Sequence, residues 1–257
     1  MNFKRAAYVL SLSERTRNKA LIPDLRKNIE TKIILGKQGV EFKNFQLGDD
    51  AKISQILYNR KLTQNEIACA DGHRRLIQQA VSDQVDIAYF LEDDAELPSS
   101  FAHLLDDMSL VNPNPTLCLI AYEKKKILCR KIFYGRMRKF YKCYSIPTCA
   151  QFYVLNRSAL ILLEKEWKKR SCAEVADFPT WYWDKVKFYL APLSQSAVVI
   201  RGKSTIGFAR FDSNGSNIAK RIKKYLCIFW LFELRGYMSI GAYIAMVHAR
   251  LIRGFIR

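Results

Sequence analysis

The chain has 257 residues, with 42 Lys and Arg against 24 Asp and Glu, a formal net charge of +18 and a hydrophobic content of 49%. This length suits one α/β domain or one domain with a small appendage, and the hydrophobic content excludes a disordered chain. A positive surplus of this size indicates anionic partners such as nucleotide phosphates, nucleic acid or an acidic membrane surface, without choosing among them.

Cysteine usage and the absence of targeting signals favour the cytoplasm. The seven cysteines form no Cys-x-x-Cys pair, and their odd number argues against a secreted disulfide framework. The amino terminus leads directly into a strand-like run without a signal-peptide cleavage pattern. Because no apolar stretch reaches the roughly 20 residues that span a bilayer, we expect a protein in the cytoplasm or peripheral on the cytoplasmic face of a membrane.

Strand-like and helix-like segments alternate through the first half of the chain, in the order expected for a mostly parallel sheet with crossover helices. The first of them are strands at 6–10, 31–35 and, most weakly, 40–45, with a helix that ends near residue 28. Thr63 and Glu66 form a capping-box pattern, which predicts a helix that runs to about Val81. This helix leads into a buried strand at 85–91, so the sequence predicts an α/β fold.

Further strands and helices are predicted around a densely basic segment. They are a helix that begins near residue 98, strands at 116–121 and 151–155, and a helix at 158–169. Residues 123–144 are rich in Lys, Arg, Phe and Tyr. A solvated basic face is the first interpretation of this segment, and the alternatives are a nucleic-acid-binding surface and a flexible loop that grips an anionic ligand.

The composition changes near residue 214, which divides the chain into an expected main domain at 1–213 and a basic, amphipathic segment at 214–257. Two apolar stretches in the second segment are each too short to span a bilayer, and basic residues flank both. The segment is either an interfacial tail on anionic lipid or a pair of helices packed on the domain. Flotation of liposomes with the chain truncated near residue 214 separates these, because unchanged lipid binding would exclude the tail as an anchor.

Three adjacent carboxylates, Glu92, Asp93 and Asp94, follow the predicted strand at 85–91. Ligands in open α/β sheets lie outside the carboxyl ends of the strands. Carboxylates this close together favour a divalent metal that holds a phosphorylated ligand, and a solvated acidic turn is the alternative. Because neighbours on a strand point to opposite faces, Glu92 and Asp94 are expected to bind the metal, with Asp93 the more structural member.

One block of sequence joins a helix motif to this strand, and weaker motifs lie on both sides of it. The motifs are Leu62-Thr63-Gln64-Asn65-Glu66-Ile67-Ala68-Cys69-Ala70-Asp71-Gly72-His73, Phe90-Leu91-Glu92-Asp93-Asp94, Tyr8-Val9-Leu10-Ser11-Leu12, Gln151-Phe152-Tyr153-Val154-Leu155-Asn156-Arg157 and Asp177-Phe178-Pro179. Together, over roughly residues 5–200, they closely resemble glycosyltransferase family 25, which includes bacterial lipooligosaccharide galactosyltransferases. Asn65 and Ala68 stand where that family usually has glycine, and Gly72 stands where it has Ser, differences that bear on the choice of sugar and acceptor rather than on the fold.

The resemblance implies a GT-A-like fold, a UDP-sugar donor, inversion at the anomeric carbon and a divalent metal, usually Mn²⁺. The implied enzyme moves a hexose, expected to be galactose, to a lipooligosaccharide or lipopolysaccharide acceptor. Metal ligands at Glu92 and Asp94 fit this chemistry, because a metal stabilises the charge that develops on a diphosphate leaving group.

Inversion also needs a general base that takes the proton of the acceptor hydroxyl. Asp177 has the family position. Asp184 lies beside Trp181 and Trp183, whose faces could stack on a sugar acceptor. Glu66 is the third candidate, and its place in the capping box is the structural alternative.

Substrate or nucleotide contacts are expected near the first strand and around the acidic cluster. Arg15 and Arg17 suit bidentate contact with phosphate, with an exposed basic turn as the alternative. His73 lies near the helical face that carries Glu66, and a buried, hydrogen-bonded histidine is its alternative role. The full expected set is Ser11, Arg15, Arg17, His73, Asp93, Gln151 and Tyr153.

Three other functions remain open from the sequence. The chain could be another sugar-nucleotide enzyme on the same fold, because fold does not determine chemistry. It could bind nucleic acid or another anionic partner through its charge of +18, although this gives no reason for three carboxylates at a strand end. It could also be an inactive family member that is kept for assembly.

Overall fold

The computed structural model describes residues 3–13, 18–42, 62–99, 101–102, 114–121, 129–134, 138–143, 150–170, 179 and 181–191. Their strands are β1 (Arg5–Ser11), β2 (Glu30–Leu35), β3 (Ile87–Glu92), β4 (Thr116–Leu119), β5 (Cys129–Tyr134), β6 (Arg138–Cys143), β7 (Phe152–Asn156) and β8 (Lys187–Leu190). Their helices are α1 (Leu21–Arg26), α2 (Gln64–Ser82), α3 (Arg157–Trp167) and α4 (Tyr182–Lys185), with a 3₁₀-helix at Gly39–Phe42.

The described strands form one sheet in the order β2-β1-β3-β7-β4-β8-β6-β5. β1 pairs in parallel with β2 and β3, and β4 pairs in parallel with β8. β7 is antiparallel to both β3 and β4, while β6 is antiparallel to β5 and β8. Six strands therefore run in one direction and two in the other, which confirms the α/β fold with a mostly parallel sheet.

Both faces of the sheet are buried, which explains why the central strands are apolar along their whole length. Tyr8, Phe90 and Tyr153 belong to a core cluster on one face, together with residues of α2, α3 and α4. Val9 and Leu91 belong to a second cluster, with residues of α1. In the part of the chain that the structure describes, helices therefore pack on both faces of the sheet.

Helix α2 begins at a side-chain cap, and the backbone N–H of Asp83 caps its carboxyl end. Thr63 Oγ1 accepts a hydrogen bond from the backbone N–H of Glu66 (3.2 Å), and the Glu66 carboxylate accepts one from the backbone N–H of Thr63 (2.8 Å), which confirms the predicted capping box. At the other end, Asp83 accepts a hydrogen bond from the Tyr8 hydroxyl of β1 (2.8 Å). Gly72 lies against Leu10 and His73 faces Glu92, so the amino-terminal half of α2 passes the carboxyl ends of β1 and β3.

Two predicted segments differ from the structure. The weak strand predicted at 40–45 is wrong where the structure describes it, because a 3₁₀-helix spans Gly39–Phe42. The backbone N–H of Glu41 donates to the Gln38 carbonyl (3.0 Å), and the Glu41 carboxylate accepts from the backbone N–H of Gln38 (2.7 Å). These local hydrogen bonds stabilise the turn without a neighbouring strand. The basic segment at 123–144 contains the antiparallel pair β5 and β6, and β6 extends the sheet beside β8. The loop interpretation is therefore wrong for residues 129–134 and 138–143.

Arg15, Arg17, Asp177 and the segment 214–257 lie outside the described residues. Within the ranges that the structure describes, no helix has both the length and the apolar character that crossing a bilayer requires.

Candidate active site

The acidic cluster lies at one edge of the sheet, where three strands bring polar side chains together. Leu10, next to the end of β1, pairs with Glu92 at the end of β3. Because β7 runs in the opposite direction, its first residues lie at this same edge, and the backbone N–H of Glu92 donates to the carbonyl oxygen of Gln151 (2.9 Å). Ser11, the cluster and Gln151 are therefore neighbours.

Asp93 is held inside the edge of the sheet. It is 6% exposed, and its Oδ2 accepts a hydrogen bond from the Ser11 hydroxyl (2.8 Å). Asn18 adds two contacts to the same turn: its backbone N–H donates to the Asp93 carbonyl (2.9 Å), and its Nδ2 donates to the Ala95 carbonyl (2.8 Å). Asn18 and the side-chain hydrogen bond between Ser11 and Asp93 thus hold the acidic turn, and a contact of Ser11 or Asp93 with a nucleotide stays a prediction.

Asp94 does not share the face of Glu92 in the way that strand alternation predicts. β3 ends at Glu92, and a turn follows in which the backbone N–H of Ala95 donates to the Glu92 carbonyl (3.0 Å). Asp94 lies in this turn, partly buried, and its Oδ1 accepts a hydrogen bond from Gln151 Nε2 (3.2 Å). The premise of a continuing strand is wrong, because the chain turns after Glu92.

Glu92 faces helix α2. Its Oε1 lies 3.5 Å from Nε2 of His73, whose other ring nitrogen, Nδ1, is 3.0 Å from the Tyr153 hydroxyl. His73 is 3% exposed and Tyr153 is 1% exposed, and their rings stack with centroids 5.7 Å apart. The two side chains therefore contact each other in the interior, and a direct contact of either with the nucleotide stays a prediction.

Tyr153 keeps its phenolic proton. Burial is the largest cause that raises its pKa well above the ordinary value, and the nearby Tyr182, Cys69 and Glu92 raise it further. A protonated phenol both donates and accepts hydrogen bonds, so Tyr153 can hold Nδ1 of His73 in either tautomer. In both cases Nε2 is the ring nitrogen that faces Glu92.

Cys69 joins His73 and Glu92 in a cluster that sequence reasoning missed. One ligand atom from each of the three residues lies within 4.8 Å of the other two. Cys69 and His73 are four residues apart on α2 and so lie on one face of the helix, which was a signal available in the sequence. The third member could not be paired with them before β3 was placed against α2.

Two of the three candidates for the general base, Glu66 and Asp184, lie within the described residues. The Glu66 carboxylate is 7% exposed and accepts hydrogen bonds from both the backbone N–H (2.8 Å) and the hydroxyl (3.1 Å) of Thr63. Asp184 is exposed and lies in α4, just before β8. β8 begins beside Thr116, at the end of the sheet where β3 also begins. The Glu66 carboxylate is thus already used at the start of α2, and Asp184 lies at the opposite end of the sheet from Glu92.

Trp181 is not available as a stacking surface for an acceptor sugar, so that part of the prediction is wrong. It is 2% exposed and packs edge-on against Trp167 (5.3 Å) and Tyr182 (4.5 Å). The Arg170 guanidinium lies 4.9 Å from the centre of its ring. Trp183 stacks on Phe188 at 5.5 Å. Aromatic residues that the sequence places near Asp184 are therefore used largely to pack α3, α4 and β8 together.

The sequence matches a known family over most of the domain just described. The model of glycosyltransferase family 25, described as LPS biosynthesis protein, matches residues 4–173. Since this is well over half of the chain, the protein belongs to glycosyltransferase family 25. The predicted family and the predicted class of enzyme, a glycosyltransferase, are confirmed.

Solved structures show only distant similarity. A glycosyltransferase involved in the glycosylation of the major capsid of PBCV-1 has 11% identity and a TM-score of 0.34, over 63% of this chain and 64% of that one. A197 from STIV has 11% identity and a TM-score of 0.38, over 76% and 84%. Mannose-1-phosphate geranyltransferase from Thermus thermophilus has 11% identity and a TM-score of 0.38, over 74% of each chain. Similarity at this level says nothing about activity, and a comparison with curated proteins gave no match.

Proposed function

We propose that this glycosyltransferase moves a hexose, expected to be galactose, from a UDP-sugar to a lipooligosaccharide or lipopolysaccharide acceptor, with inversion and with a divalent metal. The observation that carries the proposal is the acidic turn at the carboxyl edge of β1 and β3, where α/β sheets bind ligands. Asp93 and Ser11 hold this turn, while Glu92 and Asp94 remain partly exposed. Without a cation, such a cluster would repel a diphosphate.

The residues present fit a hard divalent cation. Glu92 and Asp94 offer carboxylate oxygens, which Mn²⁺ and Mg²⁺ prefer, and neither side chain is fully buried. When bound, the metal acts as a Lewis acid that offsets the charge of the leaving diphosphate. The chain's own contribution is to fix the turn through Ser11 and Asn18, so that the carboxylates are aligned before the donor binds.

The placement of the described carboxylates favours Asp177 as the general base. Glu66 already caps the amino terminus of α2. Asp184 precedes β8 at the end of the sheet where β3 begins, opposite the end that carries the acidic turn. Asp177 keeps the position that the family resemblance gives it. Arg15 and Arg17 stay the proposed contacts of the donor phosphates, and residues 214–257 stay the proposed contact with an anionic membrane.

Donor binding tests this proposal through the melting temperature of the full chain. A ligand that binds only the native state stabilises it by about 2.7 kcal/mol at 100 times its Kd. We expect UDP-galactose with Mn²⁺ to raise the melting temperature, and UDP-galactose with a chelator, or GDP-mannose with Mn²⁺, to leave it unchanged. Asp177→Asn should keep the shift and lose transfer. No shift with any UDP-sugar, or equal shifts with and without metal, would contradict the proposal.

A further inference from the structure

The cluster of Cys69, His73 and Glu92 has the composition of a different kind of metal site from the one proposed for the donor. It combines a thiol, an imidazole and a carboxylate, with ligand atoms that all lie within 4.8 Å of one another. Thiolate and imidazole are ligands of Zn²⁺ and related borderline metals, whereas Mn²⁺ and Mg²⁺ prefer oxygen. The ligand set therefore selects against the metal that a diphosphate needs.

His73 is oriented as a metal ligand. It is 3% exposed, and its Nε2 has no hydrogen-bond partner among the described residues, although buried polar atoms are rarely left without one. The Glu92 oxygen lies 3.5 Å from this nitrogen, beyond a good hydrogen bond. It is, however, close to the separation of about 3.3–3.8 Å between two ligands on a tetrahedral zinc ion, given bonds of 2.0–2.3 Å.

The surroundings of the cluster supply the other requirements of such a site. The Tyr153 hydroxyl, 3.0 Å away, can accept a hydrogen bond from Nδ1–H and so leave the Nε2 lone pair directed at the metal. Cys69 and Glu92 are both partly exposed, which gives an ion access and leaves a fourth position for water. The two α2 ligands are four residues apart on a capped helix, so their spacing is fixed before the metal binds.

We propose that Cys69 Sγ, His73 Nε2 and a Glu92 carboxylate oxygen form a binding site for a zinc-class metal ion. Binding replaces the thiol proton of Cys69 with the metal and holds Glu92 against α2. Glu92 then contacts either this ion or the cation of the donor site. The site stands on its own geometry and needs neither a sugar nucleotide nor an acceptor.

Co²⁺ is the probe that tests this site, because its absorption reports both geometry and thiolate ligation. Metal-depleted full-length protein is titrated with Co²⁺, and Zn²⁺ is then added to displace it. We expect one equivalent of Co²⁺ to give intense tetrahedral bands with a sulfur-to-cobalt charge-transfer band. A six-coordinate ion held only by Glu92 and Asp94 would show weak bands without sulfur ligation, so the result is independent of the donor proposal.

Three variants complete the test. Cys69→Ser should abolish the charge-transfer band, while Glu92→Gln should keep it and weaken Zn²⁺ binding by at least about 10- to 100-fold, the loss typical even for a changed partner of a metal ligand. Glu96→Gln, which changes an exposed carboxylate four residues after Glu92, is the matched control and should bind as the native protein does. Circular dichroism of each metal-free variant verifies folding. A native protein without the band, or a band that persists in Cys69→Ser, would overturn the proposal.

Discussion

At the scale of single residues, three adjacent carboxylates have three different partners. Glu92 ends β3 and faces His73, Asp93 turns inward to Ser11, and Asp94 receives the Gln151 amide. Their sequence predicts a ligand site because like charges rarely cluster at a strand end without a cation. It could not predict which oxygen meets which partner, because that depends on where the strand stops and on a helix and a strand distant in the chain.

The Asp83 carboxylate is expected to stabilise the fold in a way that depends on pH. Asp83 is the C-cap residue of α2 through its backbone N–H, and its carboxylate accepts hydrogen bonds from the side chains of Lys32 (2.8 Å), Tyr8 (2.8 Å) and Gln79 (3.0 Å). Burial acts to raise its pKa, but these donors outweigh it, and the net pKa lies below the ordinary value of 3.8. A lowered pKa in the folded state means that the charged carboxylate stabilises the fold above about pH 4, and that this contribution disappears as the pH falls through the lowered pKa.

Asp83→Asn should therefore lower the free energy of unfolding at pH 7 by roughly 1–3 kcal/mol, because it weakens hydrogen bonds to a charged group. The difference from the native protein should shrink as the pH falls below 4. Urea unfolding at several pH values measures both effects. Asp24→Asn is the control, because its ion pair with Lys27 is exposed and should contribute about 0–1 kcal/mol. A deficit for Asp83→Asn that does not depend on pH would be inconsistent with this account.

At the scale of elements, Gly72 sets how closely α2 approaches β1. A Cβ atom at this position would lie 2.7 Å from Leu10 Cδ2 and 2.9 Å from Leu10 Cδ1. Leu10 pairs with Glu92 in the sheet, and His73 follows Gly72 on the helix. The close contact therefore brings His73 next to Glu92.

Gly72→Ala should destabilise the native protein even though alanine favours helices by about 1 kcal/mol, because crowding of a packed contact costs about 1–3 kcal/mol. In a Leu10→Ala background, which removes the crowding atoms, the same change should stabilise. Free energies of unfolding of the four proteins give the coupling, expected to exceed about 1 kcal/mol. If Gly72→Ala has the same effect in both backgrounds, Gly72 does not set the approach.

The elements also show what local sequence can and cannot predict. The capping box of Thr63 and Glu66 acts within four residues, so it predicts the start of α2 correctly. Of the strand predicted at 40–45, the described residues 40–42 belong instead to a local 3₁₀-helix, Gly39–Phe42. Trp181 lies beside an acidic residue in sequence, yet its partner Trp167 lies in another helix, and that burial removes it from the surface.

At the scale of the whole molecule, the fold was more predictable than the site. Alternating apolar strands and helices determine an α/β sheet, and the sheet places the end of β3 beside the end of β1. The insertion of antiparallel β7 between β3 and β4 was not visible in the sequence, although it brings Gln151 to Asp94 and Tyr153 to His73. Site geometry depends on these long-range pairings, whereas the fold class depends on local patterns.

The central claim is that the acidic turn supports metal-dependent transfer from a UDP-sugar. The most direct measurement is galactosyl transfer from UDP-galactose to a lipooligosaccharide acceptor, with Mn²⁺, by the native protein, Asp94→Asn and the control Glu96→Gln. Each protein is first verified to be folded by its melting temperature. We predict transfer by the native protein and the control, no transfer without Mn²⁺, and a loss of at least about 100-fold in Asp94→Asn, the scale typical when a charge-stabilising group is removed. Full transfer by folded Asp94→Asn, or by the native protein without metal, would contradict the claim.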